Sequence, residues 1–321
     1  MTAASAGRHG ATRKAYLQIH FCVVLWGFTA ILGKAISLSA FSLVWWRMLL
    51  VAAALSLLPR VWRALRAMSW RLLGAYAGIG VLVALHWLTF YAAIKLSNAS
   101  VAATCIAVGP IFLALIEPAL HRRRPVLADL LLGALAVPGV ALVVGAVPQG
   151  MLVGIVVGVV SAALVAVFGL LNKRLVHGSD PLTVTAIELG SGTLALTLLA
   201  PLVPWMLPGH GGALFVLPGW VDAGLIATLS FACTLLPFAL SLVALRHLSA
   251  FSVQLAVNLE PIYAIVLATL LFGEHLDVSP WFYLGVAIVV GAVFVHPFVS
   301  RPRDEHEHPE QLAMAESKSI D

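Results

Sequence analysis

The sequence predicts an all-α integral membrane protein of ten transmembrane helices, arranged as two inverted five-helix repeats. Three observations predict it: a surplus of apolar residues, positive charge confined to alternate loops, and self-similarity between the halves. Of 321 residues 61% are apolar and 10% charged, and mean hydropathy is +1.01. Soluble domains average roughly 45–50% apolar and about 25% charged, so this chain cannot cover a water-facing surface. About 196 apolar residues, at ~20 per span, suit about ten spans. The bulk of the chain is therefore neither a soluble enzyme nor a nucleic-acid module nor disordered. The net charge of +5 is scattered between apolar runs and is not a nucleic-acid footprint. Cys22, Cys105 and Cys233 all lie inside apolar runs, as buried small hydrophobes rather than a disulfide framework.

A polar leader, residues 1–15, carries Arg8, Arg13 and Lys14. The apolar stretch behind it, 16–36, is longer than the core of a signal peptide and reads as an uncleaved first span. Stretches 40–59, 71–94, 98–120 and 126–147 complete a first half, 16–147. Stretches 150–172, 181–203, 220–245, 249–272 and 279–298 form a second, 150–298, followed by a polar tail, 299–321. Each half-span is long enough to cross as a helix, and alternating ten-residue strands of a barrel are absent. With the N-terminus placed in the cytoplasm, sixteen of the nineteen Lys and Arg residues fall on the cytoplasmic side. Only Lys34 and Lys95 fall outside, and Arg47 lies within the second span. The positive-inside rule therefore predicts a multi-pass protein of the plasma or inner membrane with both termini cytoplasmic.

Aligning Gly109-Pro110 with Glu260-Pro261 places Ala93 on Ala244, Lys95 on Arg246, Ala99 on Ala250 and Phe112 on Tyr263 without a gap. Leu32-Gly33-Lys34 likewise aligns with Leu171-Asn172-Lys173. Five spans per half is odd, so the second half enters from the opposite side, as in transporters that alternate access around a central site. The stretch 244–293, with its small-residue turn, Pro261, Gly273-Glu274 and Gly-rich last helix, resembles the second half of the EamA domain of the drug/metabolite transporter superfamily. Residues 98–110 and 133–144 resemble its first-half counterpart, and Trp26-Gly27 is similar to a Trp-Gly that often opens these proteins. The resemblance covers about 16–298. It implies ten helices, cytoplasmic termini and passage of small metabolites through a central cavity. The first half departs from the second in having His121-Arg122-Arg123-Arg124 opposite Phe272-Gly273-Glu274-His275.

Polar side chains inside a bilayer must be satisfied or face water, which makes them functional candidates. At 1.5 Å per residue, Glu260 lies about 16 Å into the ninth span and Asn258 about 13 Å. Trp26 is similarly central; His86 and Arg47 lie nearer the outer surface, Glu188, Asn172 and Gln254 nearer the inner. Gln254 and Asn258 share one helical stripe, Glu260 and Tyr263 another. These nine are the candidate substrate-binding residues. Pro261 denies a donor to the Val257 carbonyl, and Pro110 does the same in the other half; each is either a ligand-facing break or a packing kink. Glu260 is a candidate for binding an ammonium or carrying a proton, the alternative being a carboxyl that fixes helix packing. Arg47 and Glu188 occupy matching places in the two halves, on opposite sides of the midplane. A direct salt bridge is not expected, and Arg47 has the alternative of snorkelling outward. Trp45, Trp87 and Tyr91 read as interfacial aromatic belt; His86 and Trp26 lie deeper. Gly74/Gly78 and Gly150/Gly154/Gly158 have spacings for close helix contact, within one chain or at a homodimer face. His177, His210, His275 and the tail Glu305-His306-Glu307-His308 read as solvated, and Glu274 as a loop-capping residue.

The function expected is a secondary transporter of a small metabolite, an amino acid being the candidate solute, with membrane lipid as its surroundings and no cofactor, metal or nucleic-acid partner. A nucleotide-driven pump lacks its phosphate loop. The alternative from another class is a membrane-embedded enzyme acting on a lipid-linked substrate, which needs polar groups clustered at one interface.

Overall fold

The computed structural model describes residues 3–120, 138–176, 179–202 and 215–299, and these are helical with no strand among them. α1 (Ala3–Ala35) merges the leader with the first apolar stretch in one helix. Then come α2 (Ala40–Ser56), α3 (Pro59–Ala67), α4 (Trp70–Leu96), α5 (Ala99–Ile106), α6 (Gly109–Leu120) and α7 (138–145). The second half holds α8 (Leu152–Leu175), α9 (Pro181–Leu199), α10 (Trp220–Ser230), α11 (Leu236–Leu245), α12 (Ala250–Val257), α13 (Glu260–Phe272) and α14 (Pro280–Val299).

Among the described residues seven stretches are long and apolar enough to cross a membrane, and an eighth if the bent pair α2–α3 counts as one. The expected second span stops at Ser56, because Pro59 starts a new helix at 89° to it. The last helix runs Pro280–Val299. Most of the expected fifth span lies outside the described residues. So do the His121–Arg124 cluster, His177, His210 and the tail from residue 300.

The helices start where side chains can accept their free amides. Ser39, Ser69, Asn98, Asp180 and Ser249 accept from the backbone N–H three residues on, at 2.8–3.3 Å. Asn98 and Ser249 are equivalent in the sequence alignment, and both start a helix that breaks eight residues later.

Contacts between the halves come in exchanged pairs. α4 packs on α8 and α11 on α1; α4 packs on α9 and α10 on α2; α5 packs on α13 and α12 on α6. α8 starts beside the end of α4, where a Cβ on Gly154 would stand 2.7 Å from Ser97 Cβ. It ends beside the start of α4, where the Tyr76 hydroxyl donates to the Leu175 carbonyl at 2.7 Å. α1 and α4 end together, with Lys95 Nζ donating to the Ile36 carbonyl at 2.5 Å. The first helices of the two halves therefore run in opposite directions. On the other face Arg246 repeats the clamp, donating to the carbonyls of Val176 and Ser179.

Small residues set the closest crossings. A Cβ on Gly80 would lie 2.2 Å from the Glu188 carbonyl oxygen, and one on Gly158 2.8 Å from Cys105 Cβ. Gly74, Gly78 and Gly150 face open space, so the glycine spacings split between buried crossings and surface.

One charged side chain joins the halves at the face where α1 and α4 end. The buried Glu274 carboxylate accepts from Lys34 Nζ at 2.7 Å, the amides of Ala99 and Ser100 at 3.0 and 2.8 Å, and the Ser100 hydroxyl at 2.6 Å. It caps α5 from across the molecule, not merely its own loop. Burial alone raises its pKa, but the hydrogen bonds from Lys34, Ser100 and Ala99 outweigh that and hold it below the ordinary value.

Thermal unfolding of the purified protein tests both contacts. Gly80→Ala overpacks the α4–α9 crossing and costs about 1–3 kcal/mol, whereas Gly74→Ala is neutral or stabilising by up to about 1 kcal/mol. Glu274→Gln lowers the melting temperature at neutral pH. Because the folded carboxyl titrates below the ordinary 4.5, the gap from wild type is full above that value and closes as pH falls through the folded pKa.

Candidate functional site

A cavity of about 110 Å³ opens where α1, α2, α4, α5, α8, α11, α12 and α13 converge. At roughly 10–15 Å³ of such space per water, it has room for a small solute or a cluster of waters. Its lining reaches Asn172, Leu245 and Ala250, close to Lys173, Arg246 and Ser249 at one face of the molecule. Toward the opposite face it stops at Phe90, Ile106 and Glu260; Lys34, Lys95 and Glu274 lie beyond, outside the lining.

Prolines shape this inner end. Pro110 has no N–H for the Ile106 carbonyl, nor Pro261 for that of Val257, and both helices break there. Ile106 and Val257 are equivalent in the alignment, and both line the cavity. The two breaks meet: Asn258 Nδ2 donates to the Ala107 carbonyl at 3.2 Å, between aligned positions. Pro261 sits in the first turn of α13 rather than inside a continuous helix. Ala250, Val253, Gln254, Val257 and Glu260, spaced i, i+3, i+4, i+7 and i+10, form one lining stripe across the break.

A third proline positions Arg47. Pro237 cannot donate to the Cys233 carbonyl, and the chain makes a π turn over Phe231–Leu235. The freed carbonyl accepts from Arg47 Nη2 at 3.4 Å, Thr234 Oγ1 accepts from Nε at 2.5 Å, and Tyr91 Oη accepts from Nη1 at 2.8 Å. The guanidinium lies 3.8 Å from the centre of the Trp87 ring, a cation–π contact. Arg47 is thus buried and lines the cavity; it does not snorkel. Trp87 and Tyr91 are buried supports of Arg47 and not belt residues. Trp45 and Trp46 lie partly exposed, their indoles donating to Thr197 Oγ1 and the Val216 carbonyl at 2.9 and 2.8 Å.

The Glu260 carboxyl has no hydrogen bond and no ion pair within 4 Å among the described residues, although it lies within electrostatic reach of Arg47. His86 Nδ1 donates to the Ser161 carbonyl at 2.9 Å, while the Ser161 hydroxyl donates back to the His86 carbonyl at 2.9 Å. That leaves Nε2 as the ring nitrogen with no protein partner. Phe168 flanks the imidazole at 5.4 Å between centroids, and Phe238 faces Trp87 at 6.1 Å.

Of the nine candidates, Glu260, Gln254, His86, Trp26, Arg47 and Asn172 line the cavity. Asn258 is turned to Ala107. Glu188 is fully buried behind Asn172, whose Nδ2 donates to its Oε2 at 3.4 Å. Tyr263 is 38% exposed on the outside, with its Cβ against Gly27. Sequence reasoning missed Thr29, Phe90, Phe168, Phe238 and Ser241 on the wall, and Ser161 and Thr234 behind it. Pro237, four residues after Cys233, was the available signal for the Arg47 cradle.

The EamA-like transporter family matches residues 13–145 and 152–296, one copy in each half. The chain belongs to that family. Its members are transporters, multi-pass membrane proteins that move small molecules, and the lipid-active enzyme weighed from the sequence gains no support from the match. Among curated proteins no sequence matches. A solved structure titled only "Crystal structure of protein" is similar over 90% of this chain and 98% of its own, with a TM-score of 0.62 and 16% identity. At that identity the likeness speaks for the fold alone.

Tyr91→Phe tests the cradle. It leaves Arg47 Nη1 short of an acceptor and costs about 1–3 kcal/mol in thermal unfolding, and Thr234→Val does the same at Nε. Trp45→Phe, on the partly exposed side, changes the melting temperature little.

Proposed function

We propose that the protein is a secondary transporter moving a small amphipathic metabolite, an amino acid, by alternating access through this cavity. The observation that carries the reading is the unpaired Glu260 carboxyl facing the same small cavity as the cradled Arg47. Two opposite charges share a wall without closing on each other, which leaves room for a zwitterion to bridge them. Its ammonium meets Glu260, its carboxylate the remaining Arg47 N–H groups, and its side chain the rings of Trp26, Trp87 and Phe168.

The full arrangement is ten spans in two inverted repeats, with both termini cytoplasmic. Support comes from the exchanged contacts between halves and from the charge distribution: Lys34 and Lys95 at one face, Lys173 and Arg246 at the other. On this orientation the cavity reaches toward the cytoplasm, and the Glu274 network closes the outside.

Flux into proteoliposomes, screened over amino acids, sugars and nucleotides, tests the reading. Amino-acid flux is expected, reduced about tenfold or more by Glu260→Gln, equivalent to at least about 1.4 kcal/mol. Unchanged flux in that variant removes Glu260 from the binding site; absence of flux for every solute overturns transport.

A further inference from the structure

Glu188 is fully buried on α9, yet it is poorly satisfied for an ionised carboxylate. Its Oε2 accepts one long hydrogen bond, 3.4 Å, from Asn172 Nδ2, and Oε1 has no partner. The other atom of the same amide, Asn172 Oδ1, is also buried and unpartnered. Both orphans are acceptors, and they belong to the two groups already in contact.

Among the described residues no neighbouring element supplies a counter-charge. From α4, the Tyr76 hydroxyl is spent on the Leu175 carbonyl and His86 on Ser161. From α8, Lys173 donates to the carbonyls of Leu245 and Leu248. From α2, Arg47 is held by Tyr91, Thr234 and Cys233. From α11, Arg246 is held by Val176 and Ser179; from α3, Arg60 sits 3.8 Å from Asp180 at the exposed start of α9. An ionised Glu188 would be an isolated buried charge, which is costly.

We infer that Glu188 and Asn172 form a proton-binding site, in which a proton on Glu188 Oε1 is donated to Asn172 Oδ1 while Asn172 Nδ2–H is donated to Oε2. One proton satisfies both orphaned acceptors and closes a ring of two hydrogen bonds between acid and amide. Asn172 lines the cavity whereas Glu188 does not, so the amide is the side of the ring that solute or water can reach. A solute ammonium passing this end of the cavity takes Asn172 Oδ1, opens the ring and brings the missing counter-charge up to Glu188; the carboxyl O–H then breaks, its proton passing to a cavity water. The site thereby couples proton release to solute occupancy. That consequence rests on the transport reading; the presence of the proton does not.

Infrared spectroscopy of the full chain in lipid bilayers at neutral pH reads the proton without any solute. A protonated-carboxyl carbonyl band is expected in wild type. Its Glu188 component is lost in Glu188→Gln, whose amide N–H still closes the ring and keeps the fold, and is retained in Glu260→Gln. It shifts to higher frequency in Asn172→Ala, as the hydrogen bond is removed. A spectrum unchanged by Glu188→Gln overturns the proposal. In proteoliposomes holding a pH-sensitive dye, an amino-acid mixture is expected to move protons in wild type, and in Glu188→Gln to move solute without them. Solute flux that follows a sodium gradient with no dye response overturns proton coupling and leaves transport standing. No flux with the band present overturns transport and leaves the proton site standing.

Discussion

In an apolar medium every backbone carbonyl needs a donor, and a proline inside a span withdraws one at a defined place. Pro110, Pro237 and Pro261 do so in three helices around one volume, and the interior polar chemistry is organised about them. The break before Pro110 exposes Ile106 to the cavity, the break before Pro261 exposes Val257, and the π turn before Pro237 gives Arg47 its carbonyl. Where the two straight breaks meet, Asn258 ties one to the other. Without these interruptions the helices would be continuous apolar rods with no reason to leave a polar void between them.

The halves share a scaffold but not its chemistry. Clamps recur at Lys95 and Arg246, caps at Asn98 and Ser249, and broken helices at Ala107 and Asn258. The charged groups do not recur. Glu260 stands where the first half has Gly109, Arg47 where the second has Glu188, and Glu274 where the first has Arg123. Repetition supplies two equivalent bodies, and divergence at three positions supplies a cavity with opposite charges and a single closed end. The Glu274 network is built on that asymmetry, since a basic residue at 274 would repel Lys34 and leave the start of α5 uncapped.

Seven of the expected spans, eight with the bent pair, were legible because length and hydropathy are local properties, and the repeat because prolines and basic caps survive in register. Cavity residues such as Glu260, Arg47 and His86 were legible because a polar side chain in an apolar run is expensive to keep. Side-chain direction was less so. The stripe joining Gln254 through Val257 to Glu260 has ordinary i, i+3, i+4, i+7 spacing, but pairing each polar residue with a neighbour three or four on split it in two. Tyr263 and Asn258 lie about 100–120° from the centre of that stripe, Tyr263 exposed and Asn258 turned to Ala107. Trp87 and Tyr91 look like belt residues until Arg47 is seen beneath them, a tertiary fact with no local signature. α3 was hidden because Arg60, Arg63 and Arg66 read as a loop, although Val61 and Leu65 lie on one helical face.

The right angle between α2 and α3 has a mechanical consequence. A helix that ends by turning flat, with Arg60, Arg63 and Arg66 along it and Trp62 exposed beside them, behaves as an outrigger. Driving it inward would bury guanidinium groups, and lifting it outward would strip Val61 and its apolar neighbours of cover. Sliding α2 along its own axis therefore carries a cost at this end, and Arg47, about two and a half turns above Ser56, is held at a fixed height by a helix it does not touch.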